Sequence, residues 1–402
     1  MIDLSLSFWL AKKSIRVMKD YYKVPELYLL RFLGMSILQS LGVNRVINAA
    51  GAETPLGGSV LPPEVVDAMR EASFIFLDMH ELLYKAGKRI AELLGVKAAF
   101  ITSGAAAGLA ISAAACMAGK DVAKIKKLPI TDDMKNQIIV QRAHRSVFDH
   151  AYMMAGARLI EIGKPFIYDK REIEGAINDK TVAIAFTITG RGVVSLEDYF
   201  EVAKHHGLPL IVDAAPVIPP ITYPRDLCKN ADLVVVSGGK ALRGPNDSGI
   251  ICGEPDLIEA CALNAHPNFA IGRPMKISKE QIVGLVAAVE LYAKKDEKTE
   301  INNWFTILKK ISEILDSAPN FEKKIVFPDE INRPVPRLHI RIGRSSVWEV
   351  IEKLKNGVPK IFTADYLTMD YYPDWLVIDP TTLLEGDDEI VANRLLELLK
   401  SL

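Results

Sequence analysis

Short uninterrupted apolar runs recur through the middle of the chain, at 98–102, 137–141, 158–162, 182–187, 208–213, 233–237 and 249–252. Each has strand length and is too short for a helix of its own. Most are separated by stretches whose apolar positions recur every three to four residues, such as 196–206, the spacing of a helix with one buried face. The run Asp232-Leu-Val-Val-Val-Ser237 has no polar alternation, which is the pattern of a strand covered on both sides. Seven such strands with intervening helices predict an α/β fold, a mostly parallel seven-stranded sheet covered by helices. A helix carrying Ile282, Leu285, Val286, Val289 and Leu291 then leads to a segment, 301–402, that alternates helix, strand, helix and strand, as a smaller α+β domain does. The charged stretch 294–300 marks the boundary. The predicted organisation is an N-terminal helical segment (1–46), a large domain (47–290) and a small C-terminal domain (291–402).

Composition narrows the setting. The 402 residues are 49% hydrophobic, enough for a large core, and no stretch approaches the length of an uncharged membrane span. The N-terminus lacks the order of a secretory signal, so a cytoplasmic location with no membrane partner is expected. With 49 basic and 50 acidic side chains the net charge is −1, without the basic excess by which a tRNA binder declares itself, so tRNA is not the expected partner. Lys12, Lys13, Arg16, Lys19 and Lys23 alternate with Phe8, Trp9, Leu10, Ile15 and Val17, the pattern of an amphipathic helix that is solvated or packed on a partner subunit. Cys116, Cys228, Cys252 and Cys261 have no metal-type spacing and read as reduced thiols.

Three motifs carry chemistry. In Ser237-Gly-Gly-Lys240-Ala-Leu-Arg243-Gly-Pro245 a lysine emerges from a glycine-rich turn at the carboxyl end of a buried strand, where open α/β sheets bind ligands. A partly desolvated lysine there forms a Schiff base with an aldehyde; the competing reading is a solvated loop lysine. Upstream, Leu208-Pro-Leu-Ile-Val-Asp213-Ala-Ala215 ends a strand in one carboxylate and two small residues. That suits an acid beside the ring nitrogen of pyridoxal 5'-phosphate (PLP), although alone Asp213 equally fits a helix cap or a Mg2+ ligand. The run Thr102-Ser103-Gly104-Ala105 turns from a strand into a small-residue helix whose free N–H groups suit a phosphate, or which is small simply to pack on the sheet. It has neither the P-loop nor the dinucleotide spacing.

In this order the three motifs resemble fold type I PLP-dependent enzymes. With Val46-Ile-Asn-Ala-Ala-Gly51, His144-Arg145 and Ile271-Gly-Arg273-Pro-Met-Lys276, the chain is similar to the selenocysteine synthase-like group, which holds the L-seryl-tRNA selenium transferases and the D-glucosaminate ammonia-lyases. The likeness is strong over about residues 44–290 and looser beyond. Thr54-Pro-Leu-Gly-Gly58 has a glycine where the transferases carry an arginine, and Gly239 stands where they resemble Asp; Phe76-Leu-Asp-Met-His-Glu-Leu82 looks like the lyase-type segment.

The resemblance implies PLP held by Lys240, with Asp213 at the ring nitrogen and His144 stacked on the ring; a capping or surface histidine is the competing reading. Ser103, Gly104, Ala105, Ala215 and Ser237 would complete the cofactor site. Arg273, Arg337 and Arg243 are the choices for a substrate carboxylate or phosphate, Arg337 having the precedent of a small-domain arginine in this fold, and each competes with a structural ion pair. The implied function is a lyase that removes a β-hydroxyl from a small amino acid, such as glucosaminate or its 6-phosphate, giving a 2-keto acid and ammonia. The alternatives are a selenium or sulfur transferase and a PLP-binding protein without turnover. The resemblance also implies a homodimer or larger homo-oligomer.

Overall fold

A computed structural model describes residues 37–165, 167, 169–189, 195–318, 321–342 and 344–401. The amphipathic pattern read at 8–23 lies outside the described residues.

A seven-stranded sheet forms the main layer. Its strands are β2 (Ala98–Thr102), β3 (Gln137–Gln141), β4 (Arg158–Ile162), β5 (Thr181–Thr187), β6 (Leu210–Asp213), β7 (Leu233–Ser237) and β8 (Gly249–Gly253), in the order β2-β8-β7-β6-β5-β3-β4. Only β8 runs antiparallel to its neighbours, so the other six strands send their carboxyl ends to one edge. The β6 strand starts at Leu210 and not at 208, since Pro209 has no N–H for the ladder and contributes only its carbonyl, which accepts from Ile184 N–H at 2.9 Å.

The helix Ala105–Ala118 is buried almost all round, which explains an apolar sequence without a polar face. A Cβ at Gly108 would stand 2.7 Å from Val235 Cγ1, so the helix can approach the sheet only with a glycine there. The helix Leu196–His206 has the bounds its periodicity predicts, capped by the Ser195 hydroxyl and ended by Gly207 at φ 62°.

A second core lies around β9 (Glu322–Val326), β10 (Arg337–Arg341) and β12 (Trp375–Ile378), an antiparallel sheet in the order β12-β10-β9. Leu308, Ile311 and Leu315 of the helix Glu297–Leu315 and Val391 and Leu395 of Asp387–Lys400 are buried in it. The expected strict alternation of helix and strand fails here because β9 and β10 are consecutive, joined by a turn rich in proline and polar residues that cannot continue either as helix.

Upstream, β1 (Ile47–Ala49) pairs in parallel with β11 (Ile361–Thr363), and Ile47 and Ala49 are buried in this second core. The chain leaves β1 under Asp379, whose N–H donates to Ala49 O at 2.9 Å, and crosses to the seven-stranded sheet. The Ser59 hydroxyl lies 2.9 Å from Gly239 O and 3.0 Å from Lys240 O. Residues 50–60 therefore span the two cores at the sheet's carboxyl edge.

Candidate active site

Asp213 and Lys240 come to that edge from neighbouring strands. Asp213 pairs in register with Val235; beyond it, Ala214 N–H donates to Val235 O and Ser237 N–H to Ala215 O. The loop after Asp213 thus runs on along β7 toward Lys240. A Cβ at position 238 would stand 2.3 Å from Ser248 Oγ, and one at position 239 would stand 2.5 Å from Asn246 Cα, so close backbone approach explains the glycine pair. Gly58, at φ 75°, closes the same turn: a Cβ there would meet Asn246 Oδ1 at 2.4 Å and Gly239 O at 2.9 Å. The turn has no room for an arginine at 58 or an aspartate at 239.

Burial pushes the Lys240 ammonium pKa down, opposed by Asp213, reinforced by Arg333 and opposed by Glu53. The neutral amine required of a nucleophile or base is thereby favoured. Burial pushes the Asp213 carboxyl up, against the Ala215 N–H that reaches Oδ1 at 3.1 Å and against Lys240, while Asp149 adds to the rise. Among the described residues that N–H is the one hydrogen bond to the carboxylate. A buried acid so thinly compensated calls for a cation beside it.

His144 ends a short helical turn, Arg142–His144, after β3. Its ring stands edge-on to Phe186 with centroids 4.5 Å apart and planes at 78°, and its buried Nδ1 has no partner among the described residues. Burial lowers its pKa to about 4, so the imidazole is neutral at pH 7. At the end of β2, Gly104 at φ 92° starts the buried helix with no side-chain cap, which leaves the first N–H groups of that helix free for an anion. Gly249 holds this turn close to β8, since a Cβ there would lie 2.5 Å from Gly104 C. The hydroxyls of Ser103 and Ser237 make no hydrogen bond among the described residues. An uncapped helix start, a thinly compensated acid, a neutral buried imidazole and a desolvated lysine fit the phosphate, ring nitrogen, ring face and aldehyde of PLP.

The three arginines fare differently. Arg337 is almost fully buried, with Nε 3.0 Å from Asp379 Oδ2 and Nη2 3.5 Å from Asp329 Oδ2, and Nη1 paired with Glu330. Its fork is filled by carboxylates of its own core, so it does not stand free for a substrate. We expect Arg337→Ala to destabilise the fold by about 3–5 kcal/mol, the cost of stranding buried carboxylates. Denaturant unfolding measures this; a loss below about 1 kcal/mol would mean that the arginine is not committed to the core. Arg273 stacks over Phe269 and contacts His266 Nδ1 at 3.1 Å, and these contacts do not include Lys240 or Asp213. Arg243 lies near the lysine through the backbone, where its N–H donates to Lys240 O, but its side chain turns to Val60 O at 2.8 Å; its φ of 55° is uncommon for a side-chain-bearing residue.

Two charged residues at the site were not singled out in the sequence. Arg333 reaches from the turn at Asp329, with Nε 2.8 Å from Asp329 Oδ2, to Pro216 O at 2.7 Å, and so ties the smaller core to the loop after Asp213. Glu53 lies in the crossing segment, where its backbone bridges to Gly58. Nothing in their spacing marks either one; the fold alone brings them to Lys240. The four cysteines are free, and burial raises the Cys116 and Cys228 thiols to about 12, which leaves them poor nucleophiles.

This arrangement defines a fold type I PLP-dependent enzyme, and PLP is the cofactor that its fold and relatives call for. The chain belongs to the L-seryl-tRNA selenium transferase (SelA) family, whose model matches residues 46–335. It is 32% identical over 376 residues to a 5'-C-glycyluridine monooxygenase-decarboxylase from Streptomyces sp, covering 90% of this chain and 91% of the relative. It is 31% identical over 379 residues to the D-glucosaminate-6-phosphate ammonia lyase of Salmonella typhimurium, covering 90% and 98%. A solved D-glucosaminate-6-phosphate ammonia-lyase structure superposes with a TM-score of 0.77 at 31% identity over 91% of this chain and 98% of that one. The L-seryl-tRNA(Sec) selenium transferase of Caldanaerobacter subterraneus is 22% identical, with 90% and 84% covered.

Proposed function

We propose that the protein is a PLP-dependent ammonia-lyase that removes a β-hydroxyl from a sugar-derived or other small hydroxy amino acid, glucosaminate or its 6-phosphate being the first to test. The observation that carries this reading is the match, in both sequence and fold, to the ammonia-lyase over nearly the whole of each chain. Bound PLP supplies an electron sink for a bond broken at the substrate's Cα. Lys240, whose ammonium pKa burial lowers, would hold the cofactor and then take the Cα proton. Asp213 supplies the negative charge opposite the ring nitrogen, neutral His144 covers the ring without adding charge, and the turn at Ser103, Gly104 and Ala105, with Ser237, binds phosphate. Ala215 offers a small surface beside the ring.

A selenium or sulfur transfer to an aminoacyl-tRNA is less well supported, because the turn around Gly58 and Gly239 excludes the side chains of the transferase pattern and the net charge is −1. The monooxygenase-decarboxylase relative is just as similar in sequence, which makes loss of a carboxyl group the second reading. A homodimer or larger assembly and a cytoplasmic location belong to the same proposal. Among the described residues no helix is long and apolar enough to cross a membrane.

Incubation of the PLP-loaded protein with D-glucosaminate, its 6-phosphate, serine and threonine, with 2-keto acid and ammonia followed together, tests the reading. Equimolar release of the two products is expected. Oxygen uptake with carbon dioxide release from a glycyl nucleoside, and no keto acid from any hydroxy amino acid, would overturn it.

A further inference from the structure

The most suggestive feature that the proposed chemistry leaves unused is Glu53. It lies beyond β1 and Gly51, in the segment that spans the two cores, and its backbone bridge to Gly58 places it on the turn packed against Gly239. The next residue of that segment to touch the site, Ser59, bonds the carbonyls of Gly239 and Lys240. Glu53 is half-buried, and its Oε1 is fully enclosed with no hydrogen-bond partner among the described residues. An enclosed carboxyl oxygen without a partner costs stability and calls for a role.

Its surroundings favour the protonated acid. Burial raises its pKa, Asp365 raises it further, Lys355 and Lys240 oppose, and Asp379 adds to the rise. Lys355 is already committed to Asp365, with Nζ 2.5 Å from Oδ2, and the Asp379 carboxylate is committed to Arg337 and Thr381. Tyr366, the remaining titratable group that senses Glu53, also faces Arg337, Asp379 and Arg333. A carboxyl group shifted toward its protonated form and a lysine shifted toward its neutral amine have the tendencies required of an acid and base pair.

We propose that Glu53 is the general acid of the elimination, donating its proton to the β-oxygen as the Cβ–O bond breaks; this rests on the lyase reading. Lys240 takes the proton from Cα, the electron pair of that bond becomes the Cα=Cβ double bond, and the pair of the Cβ–O bond leaves on oxygen. With the proton of Glu53 the leaving group departs as water. Lys240 then returns its proton to Cβ, hydrolysis of the resulting C=N bond yields the 2-keto acid and ammonia with one proton, and that proton restores Glu53. Hydroxide is a poor leaving group at neutral pH, so the step needs such a donor, and a positioned one contributes about 10²–10⁴-fold.

The test compares Glu53→Gln with wild type on a hydroxy amino acid and on its β-chloro analogue, whose chloride leaves without a proton. Keto-acid release from the hydroxy substrate should fall by about 10²–10⁴-fold, release from the chloro substrate should stay within a few-fold of wild type, and exchange of the Cα proton in D2O should persist. Equal loss on both substrates, or loss on neither, would overturn the assignment while leaving the lyase reading intact. Failure of wild type on both would sink the lyase reading and this inference with it. A readout independent of turnover is the infrared carboxyl difference between wild-type and Glu53→Gln protein without cofactor: a protonated band should persist above the ordinary Glu value of 4.5, and its loss by that pH would also refute the proposal.

Discussion

Lys240→Ala should abolish covalent attachment of PLP and cut turnover of every amino acid substrate by at least about 10²–10⁴-fold, the contribution of a positioned base alone. The reason lies in the turn that presents it. Gly238 and Gly239 pack against Ser248 and Asn246 at separations no side chain could occupy, and Ser59 pins the carbonyls of residues 239 and 240, so no neighbouring residue can take the lysine's place. Because the side chain is partly desolvated, its removal relieves burial of an amine and leaves the fold intact. Borohydride reduction followed by mass spectrometry checks the expectation: wild type should gain the mass of one reduced cofactor and the variant none. A cofactor adduct on the variant, at another lysine, would show that the site lies elsewhere.

The sequence made the sheet legible because its strands are buried on both faces and therefore stand out as unbroken apolar runs. The bounds of β2, β3, β4 and β7 coincide with those runs, and β6 is shortened only where a proline withholds its N–H. Asp213 and Lys240 were visible for a related reason, the first as the polar residue that closes such a run and the second as the lysine that follows one across a glycine pair. The arginines were not: an arginine's partner depends on distant chain segments, and Arg337 finds Asp329, Glu330 and Asp379, which only folding assembles. Arg333 and Glu53 stayed hidden because each reaches Lys240 from a segment far away in sequence, one through the turn at Asp329 and the other through the strand pair β1 and β11.

Asp213→Asn should lower turnover by on the order of 10²–10³-fold, the usual cost of removing one preorganised electrostatic partner, while the protein folds and still binds cofactor. Asparagine is nearly isosteric and its side-chain oxygen can keep the Ala215 N–H bond, so what is lost is the negative charge proposed to face the ring nitrogen. The same substitution should have the opposite effect on the cofactor-free fold. Burial raises the Asp213 pKa above its ordinary 3.8, which means that the unfolded chain ionises more readily than the native one. Native stability then declines as pH rises from the unfolded value through the raised folded value, and the loss remains at higher pH. Cofactor-free Asp213→Asn is accordingly expected to melt above cofactor-free wild type at pH 7, with the gap narrowing as pH falls toward 3.8. Loading PLP should close or reverse that gap, because a positively charged ring beside Asp213 would offset the burial of the wild-type carboxylate and not that of the amide. Thermal melts of both proteins, with and without PLP, read all four states. A variant that melts lower than wild type in the cofactor-free form would mean that Asp213 already has a compensating cation in the fold, and its assignment to the ring nitrogen would fall.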